Sequence, residues 1–165
     1  MKPLRTVIIG YGNTLRSDDG VGCAAVDLLE ERGTIKNAEF IGAQQLLPEM
    51  AESLRHAQLV IFLDASVAEK TGALSIEHIQ SGMVSGALSH HLNPASLLAL
   101  AQSLYQASPQ AYLLSVGTEH FEFGESLSEP VVAMLPVAAA VVEALVNLFA
   151  TNMEGKTNDE NIDAP

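Results

Sequence analysis

The sequence predicts a three-layer α/β/α domain with a mostly parallel, roughly five-stranded twisted sheet, one strand of which is open to antiparallel pairing. Three observations lead there. Apolar strand-like runs alternate with stretches at helical spacing along the whole chain, the pattern of a parallel sheet with helices on both faces. "TVIIG" and "LVIFL" are continuous apolar runs without polar alternation, as expected of strands buried on both sides. Polar residues able to do chemistry follow such runs directly, at the carboxyl ends where open α/β sheets bind ligands.

The elements follow in order. "RTVIIG" is the first strand, and its short apolar run breaks into a glycine turn too soon for a signal peptide. "DDGVGCAAVDLLEER" places Val21, Ala24, Ala25, Leu28 and Leu29 at helical spacing, with aspartates at its start and Gly33 after its end. "AEFIG" is a short strand, and "LPEMAESLRHA" a helical segment with Pro48 in its first turn. "AQLVIFLDAS" is the strongest strand and ends in Asp64. "GALSIEHI" is a weaker, partly alternating strand. "NPASLLALAQSLYQ" is a helix capped by Asn93 with Pro94 at its first position. "QAYLLSVG" is the last strand. "SEPVVAMLPVAAAVVEALVNLFA" is the closing helix, capped by Ser128, and Pro136 either kinks it or marks its true start.

A chain of 165 residues, 48% hydrophobic, is one domain with enough apolar side chains to build a core. The domain is expected over residues 1–151, with 152–165 as an acidic, disordered tail. Cys23 is the single cysteine, so an intrachain disulfide and a cysteine metal cluster are both excluded. That composition fits a reducing compartment, the cytoplasm. The net charge of −12 repels a phosphate backbone and argues against nucleic-acid binding. The closing apolar stretch is long enough to raise a membrane span. Pro136, Glu143 and Asn147 interrupt it, so a buried or half-buried helix is expected instead, and no membrane partner.

Chemistry is expected where polar groups meet strand ends. "GYGNTL" supplies Gly10 and Gly12, but the third glycine of a dinucleotide fingerprint would fall at Leu15. Asp18 and Asp19 would also occupy the positive field of the helix N-terminus and repel a pyrophosphate. One aspartate suffices as a cap, so Asp18 is assigned to the cap and Asp19 to function. Asp64 directly follows "LVIFL", where a carboxylate is costly to bury unless it is paired or metal-bound. His90 and His91 lie in a loop before a helix. Two carboxylates and one imidazole brought together would make an oxygen/oxygen/nitrogen site suited to zinc or nickel. Cys23 falls in an apolar helix stripe and reads as core. His56, His78 and His120 are isolated, and Glu119, Glu122 and Glu125 read as a solvated loop or an acidic rim.

Four stretches carry a resemblance to a known family. They are "GYGNTLRSDDGVG", "QQLLPEMAESLRHAQLVIFLDAS", "SHHLNPASLLAL" and "FEFGESLSEPVVAMLP". The first is similar to a G-x-G-N-x-L-x-x-D-[DE]-x-x-G motif, and together they run from Thr6 to about Leu145. In this order they resemble the hydrogenase maturation proteases, endopeptidases that trim the C-terminus of the large subunit of nickel–iron hydrogenases. The resemblance implies a metal-binding and catalytic trio of Asp19, Asp64 and a histidine. Aligning the next leucine on Leu92 selects His90, whereas one residue between serine and histidine selects His91; His90 is preferred and His91 stays open. The family position filled here by Asp19 holds glutamate in some members, and the shorter arm must approach the ion more closely. The resemblance further implies that the metal is nickel carried by the substrate, the large-subunit precursor, and read as a sign that the cofactor is assembled. Two rivals share the fold: a nickel-sensing chaperone that binds the precursor without cutting it, and a self-contained metal-dependent hydrolase of small substrates. The sequence fixes neither the client hydrogenase nor an oligomeric state.

Overall fold

The computed structural model describes residues 3–82 and 92–159. Its centre is a five-stranded sheet in the order β2-β1-β3-β5-β4. The strands are β1 (Thr6–Tyr11), β2 (Ala38–Ala43), β3 (Leu59–Ser66), β4 (Leu74–Ile79) and β5 (Gln110–Gly117). β1 pairs in parallel with β2 and β3, and β3 in parallel with β5. β4 alone runs antiparallel, as the edge partner of β5. The helices are α1 (Val21–Arg32), α2 (Pro94–Tyr105) and α3 (Glu129–Asp159).

The apolar runs of β1 and β3 are continuous because each strand feeds two cores. Val7 and Ile9 of β1, with Val60 and Phe62 of β3, face Leu97, Leu98 and Ala101 of α2. Ile8, Leu59, Ile61 and Leu63 face the other way, onto Ala25, Val26 and Leu29 of α1 and Ala138, Ala139 and Val142 of α3. The period-two alternation of a strand delivers this split without a polar residue in either run. The predicted three layers are present, with the antiparallel strand at the edge.

Several local expectations hold. Gly33 ends α1 in the left-handed region (φ 59°), the geometry that favours glycine after a helix. Asn93 caps α2, its Oδ1 accepting from Ser96 N at 2.9 Å. Others need correction. "LPEMAESLRHA" forms two consecutive 3-10 turns, Pro48–Ala51 and Ser53–His56, rather than an α-helix. Each turn closes with i-to-i+3 bonds, such as Met50 N to Leu47 O and Arg55 N to Glu52 O. Those two turns already bury Met50, Ala51 and Leu54 against the sheet. Pro136 lies inside α3 rather than at its start, with its ring on an exposed position where no core contact is lost. α3 continues to Asp159, past residue 151 where the domain was expected to end.

Among the described residues, Glu129–Met153 is the one stretch long and apolar enough to cross a membrane by length and composition. Val131, Ala138, Ala139, Val142 and Val146 along it are buried in the protein core.

Candidate functional site at the β1/β3 crevice

The strand order makes the carboxyl ends of β1 and β3 a switch point. The chain leaves β1 for β2 on one side, while β3 lies on the other. Such crevices are where open α/β sheets place ligands. The last paired residues of the two strands are Gly10 and Leu63. One step further, Tyr11 and Asp64 fall on the same sheet face as Ile9 and Phe62, because alternate residues share a face. β3 itself runs on past Asp64 to Ser66, paired with β5.

The loop after β1 is shaped by a backbone that approaches itself closely. Gly12 has φ 141°, and a Cβ there would collide with the carbonyl oxygen of Asp19. Only glycine suits that position. Asp19 Oδ2 accepts from Asn13 N at 2.7 Å and closes the turn. Asn13 Oδ1 in turn accepts from Leu15 N at 2.9 Å. Among the described residues, Asp19 Oδ1 has no hydrogen-bond partner. A Cβ on Gly22 would strike the carbonyl of Leu63 and the backbone of Tyr11. Its absence lets α1 sit directly on the junction of β1 and β3.

Asp64 is half-buried. Its Oδ1 accepts from Ala65 N at 2.8 Å, and the Tyr11 phenol lies near its carboxylate. Its pKa is raised to about 6, first by burial and in smaller part by the charge of Asp19, against the opposing pull of Tyr11 and of Ala65 N. Burial and the Asp64 charge also push the Tyr11 phenol well above its ordinary value, so it stays a proton donor. The two expected carboxylates therefore share one crevice and feel each other's charge. A pair of half-buried like charges of this kind is relieved by a cation. The donor set present, carboxylate oxygens with one oxygen unclaimed, fits such an ion.

His90 and His91 lie outside the described residues. Among the described residues, no three His, Cys, Asp or Glu side chains are grouped so that they could hold a metal ion.

Asp18 does not cap α1. The helix and the 3-10 turn before it, Ser17–Gly20, have no side-chain cap at all. Asp18 is fully buried. It accepts from Thr118 Oγ1, from Ser128 N at 2.6 Å and from Ser128 Oγ at 2.7 Å. The carboxylate thus joins the β1–α1 loop to the β5–α3 loop. Ser128 stands at the start of α3, where its carbonyl accepts from Val131 N and Val132 N. Its hydroxyl turns to Asp18 instead of capping the helix, so that expectation is corrected too. Ser128 and Thr118 were missed as contributors to the site because nothing local ties either of them to Asp18.

Cys23 is not core. It is half-buried beside the glycine turn, and its thiol donates to Ala43 O at 3.3 Å. Burial first, with the charges of Asp27 and Asp19 adding, pushes the thiol above its usual range. It is protonated at neutral pH and is not an activated nucleophile. His78 lies on β4 against Tyr112 and Gln110, away from the crevice.

No protein-family model matches the chain, and no curated protein matches it. Solved structures do. The hydrogenase maturating endopeptidase HybD from E. coli superposes with a TM-score of 0.71 at 23% identity, over 87% of this chain and 93% of that one. The [NiFe] hydrogenase maturation protease HycI from Thermococcus kodakarensis gives a TM-score of 0.71 at 18% identity, over 87% and 92%. The hydrogenase 2 maturation peptidase from a Thaumarchaeota archaeon is 28% identical with a TM-score of 0.62, over 86% and 97%. Over most of its length, the chain has the fold of the hydrogenase maturation proteases.

Proposed function

We propose that this protein is an endopeptidase that removes a C-terminal peptide from the precursor of a nickel–iron hydrogenase large subunit. The observation that carries this reading is the convergence of Asp19 and Asp64 at the β1/β3 crevice, close enough for one charge to raise the other's pKa. The structural neighbours named as hydrogenase maturation proteases support the class of activity. Nickel belongs to the substrate here, carried by the precursor as its recognition determinant.

On this reading Asp19, through Oδ1, and Asp64 take the precursor's metal, with His90 as third ligand and His91 as the alternative. The ion would supply Lewis acidity, or only a fixed reference point, for the peptide bond. The chain's own residues do the positioning. Asn13 holds Asp19 Oδ2 at 2.7 Å, and Ala65 N holds Asp64 Oδ1 at 2.8 Å. Tyr11, its proton held by burial and the Asp64 charge, stands beside Asp64 at the end of β1. With Cys23 protonated, the half-buried thiol offers no competing covalent route. The setting is the cytoplasm.

The test is to mix the protein with a large-subunit precursor from the same cell, nickel-loaded and nickel-free, and to weigh the products. Loss of a short C-terminal peptide from the loaded form alone supports the reading in full. Cutting of both forms keeps the protease and removes nickel recognition. Binding without cutting replaces the protease with the chaperone.

A further inference from the structure

Beside the crevice, the β1–α1 and β5–α3 loops are joined into one lip. Ser17 N donates to Gly124 O at 2.7 Å, and Gly124 N donates to Leu15 O at 2.9 Å. Ser17 Oγ donates to Glu122 O at 3.0 Å, and Arg16 Nε to Phe121 O at 3.2 Å. Asp18 N reaches His120 O at 3.2 Å. Ser17 adopts φ 49° to make these contacts, a conformation a non-glycine residue holds only when its surroundings fix it. A loop tied this thoroughly has a defined outer surface.

That surface is apolar at its centre and acidic around it. Phe123 is 88% exposed and Leu15, whose carbonyl accepts from Gly124 N, is 40% exposed. Glu119, Glu122 and Glu125 are all exposed. Among the described residues the ion pairs are Arg5–Glu39 and Arg32–Glu143, so none of these three glutamates is neutralised by a neighbour. Arg16, on the same lip, spends its Nε on a backbone carbonyl. An exposed aromatic on a tied loop, flanked in sequence by unpaired like charge, is the anatomy of a protein-binding anchor.

We infer that this lip docks a basic segment of the substrate polypeptide, one that lays an apolar side chain on Phe123 and Leu15 while its lysines or arginines meet Glu119, Glu122 and Glu125. The inference rests on the protease reading and adds where the substrate is gripped. Because Asp18 ties the lip to the residue next to Asp19, a segment held here is fixed relative to the crevice. The lip touches no reacting atom, so it contributes to binding and leaves the chemical step alone.

Two experiments decide it. In the first, cleavage of the purified nickel-loaded precursor is followed with wild type, with Leu15→Ala/Phe123→Ala, and with Glu119→Lys/Glu122→Lys/Glu125→Lys. KM is expected to rise about tenfold or more in both variants, with kcat within about twofold of wild type. A KM unchanged in either variant overturns the inference. Wild type that neither binds nor cuts the precursor refutes the proposed function instead, and the docking surface is then decided by the second experiment. There, a peptide alternating lysine and leucine is titrated into isotope-labelled protein and followed by NMR. Amide shifts confined to residues 13–17 and 119–128, and lost in Leu15→Ala/Phe123→Ala, support the lip. No shifts, shifts elsewhere, or equal shifts with a glutamate–leucine peptide overturn it.

Discussion

Asp18 and Ser128 are joined twice, the buried carboxylate accepting from the serine N–H at 2.6 Å and from its hydroxyl at 2.7 Å. Asp18→Ala would strand the buried Thr118 hydroxyl and leave the half-buried Ser128 donors without their partner. A loss of about 3–5 kcal/mol is expected, the usual result of breaking a buried charged hydrogen-bond set from one side. Ser128→Ala removes one hydroxyl and keeps the N–H bond, so about 1–2 kcal/mol is expected. Urea unfolding of both variants measures the difference, and equal losses would refute the assigned geometry.

Asp64 sets a pH dependence of stability. Its folded pKa of about 6 lies above the ordinary 3.8. A raised pKa means that the folded state binds its proton more tightly than the unfolded chain does. The stabilisation is complete below about pH 4 and is lost as pH rises through about 6. Asp64→Asn removes the ionisation, and near pH 8 it is expected to stabilise the free protein by about 2–3 kcal/mol. At pH 4 the advantage disappears. Denaturation curves across this range, beside a cleavage assay in which Asp64→Asn is inactive, would show stability and activity moving in opposite directions.

The two histidines separate by mutation. His90→Ala is expected to lower kcat/KM for precursor cleavage about a hundredfold or more, equivalent to about 3 kcal/mol of transition-state stabilisation. His91→Ala is expected to stay within about threefold of wild type. The reverse ranking would assign the third ligand to His91.

Cys23 predicts an absence of effect. Its thiol, with its pKa pushed up, donates to backbone carbonyls. Cys23→Ala should therefore cleave within about threefold of wild type, and iodoacetamide should modify the native protein slowly at pH 7. Rapid alkylation with loss of cleavage would instead assign the thiol a catalytic part.

The sequence shows most clearly what is decided locally. "LVIFL" reads as a central strand because both its faces are buried, and no partner needs to be known to see that. Gly33 and Asn93 act within a few residues of themselves, and both read correctly. The segment 48–56 misled because a proline at the first position and scattered apolar residues suit a 3-10 turn as well as an α-helix. Asp64 was legible because a carboxylate ending an apolar run is energetically conspicuous. Asp18 was not, since its partners lie at Thr118 and Ser128 and its neighbours invite the capping reading. The motif separates Asp19 from Asp18, but only the fold shows that one faces the crevice and the other braces it.

The Asp18–Ser128 bond spans 110 residues of sequence, and this places a clock on folding. A loop closed over such a distance forms late, because the entropy of bringing its ends together must be overcome before any contact repays it. On the ribosome, β1, α1 and β3 emerge well before α3, so Asp19 and Asp64 exist as side chains long before Asp18 can meet Ser128. A nascent or truncated chain that stops short of Ser128 carries both carboxylates and leaves Asp18 without its Ser128 partners. The brace between the β1–α1 and β5–α3 loops is therefore among the last contacts that a growing chain can make.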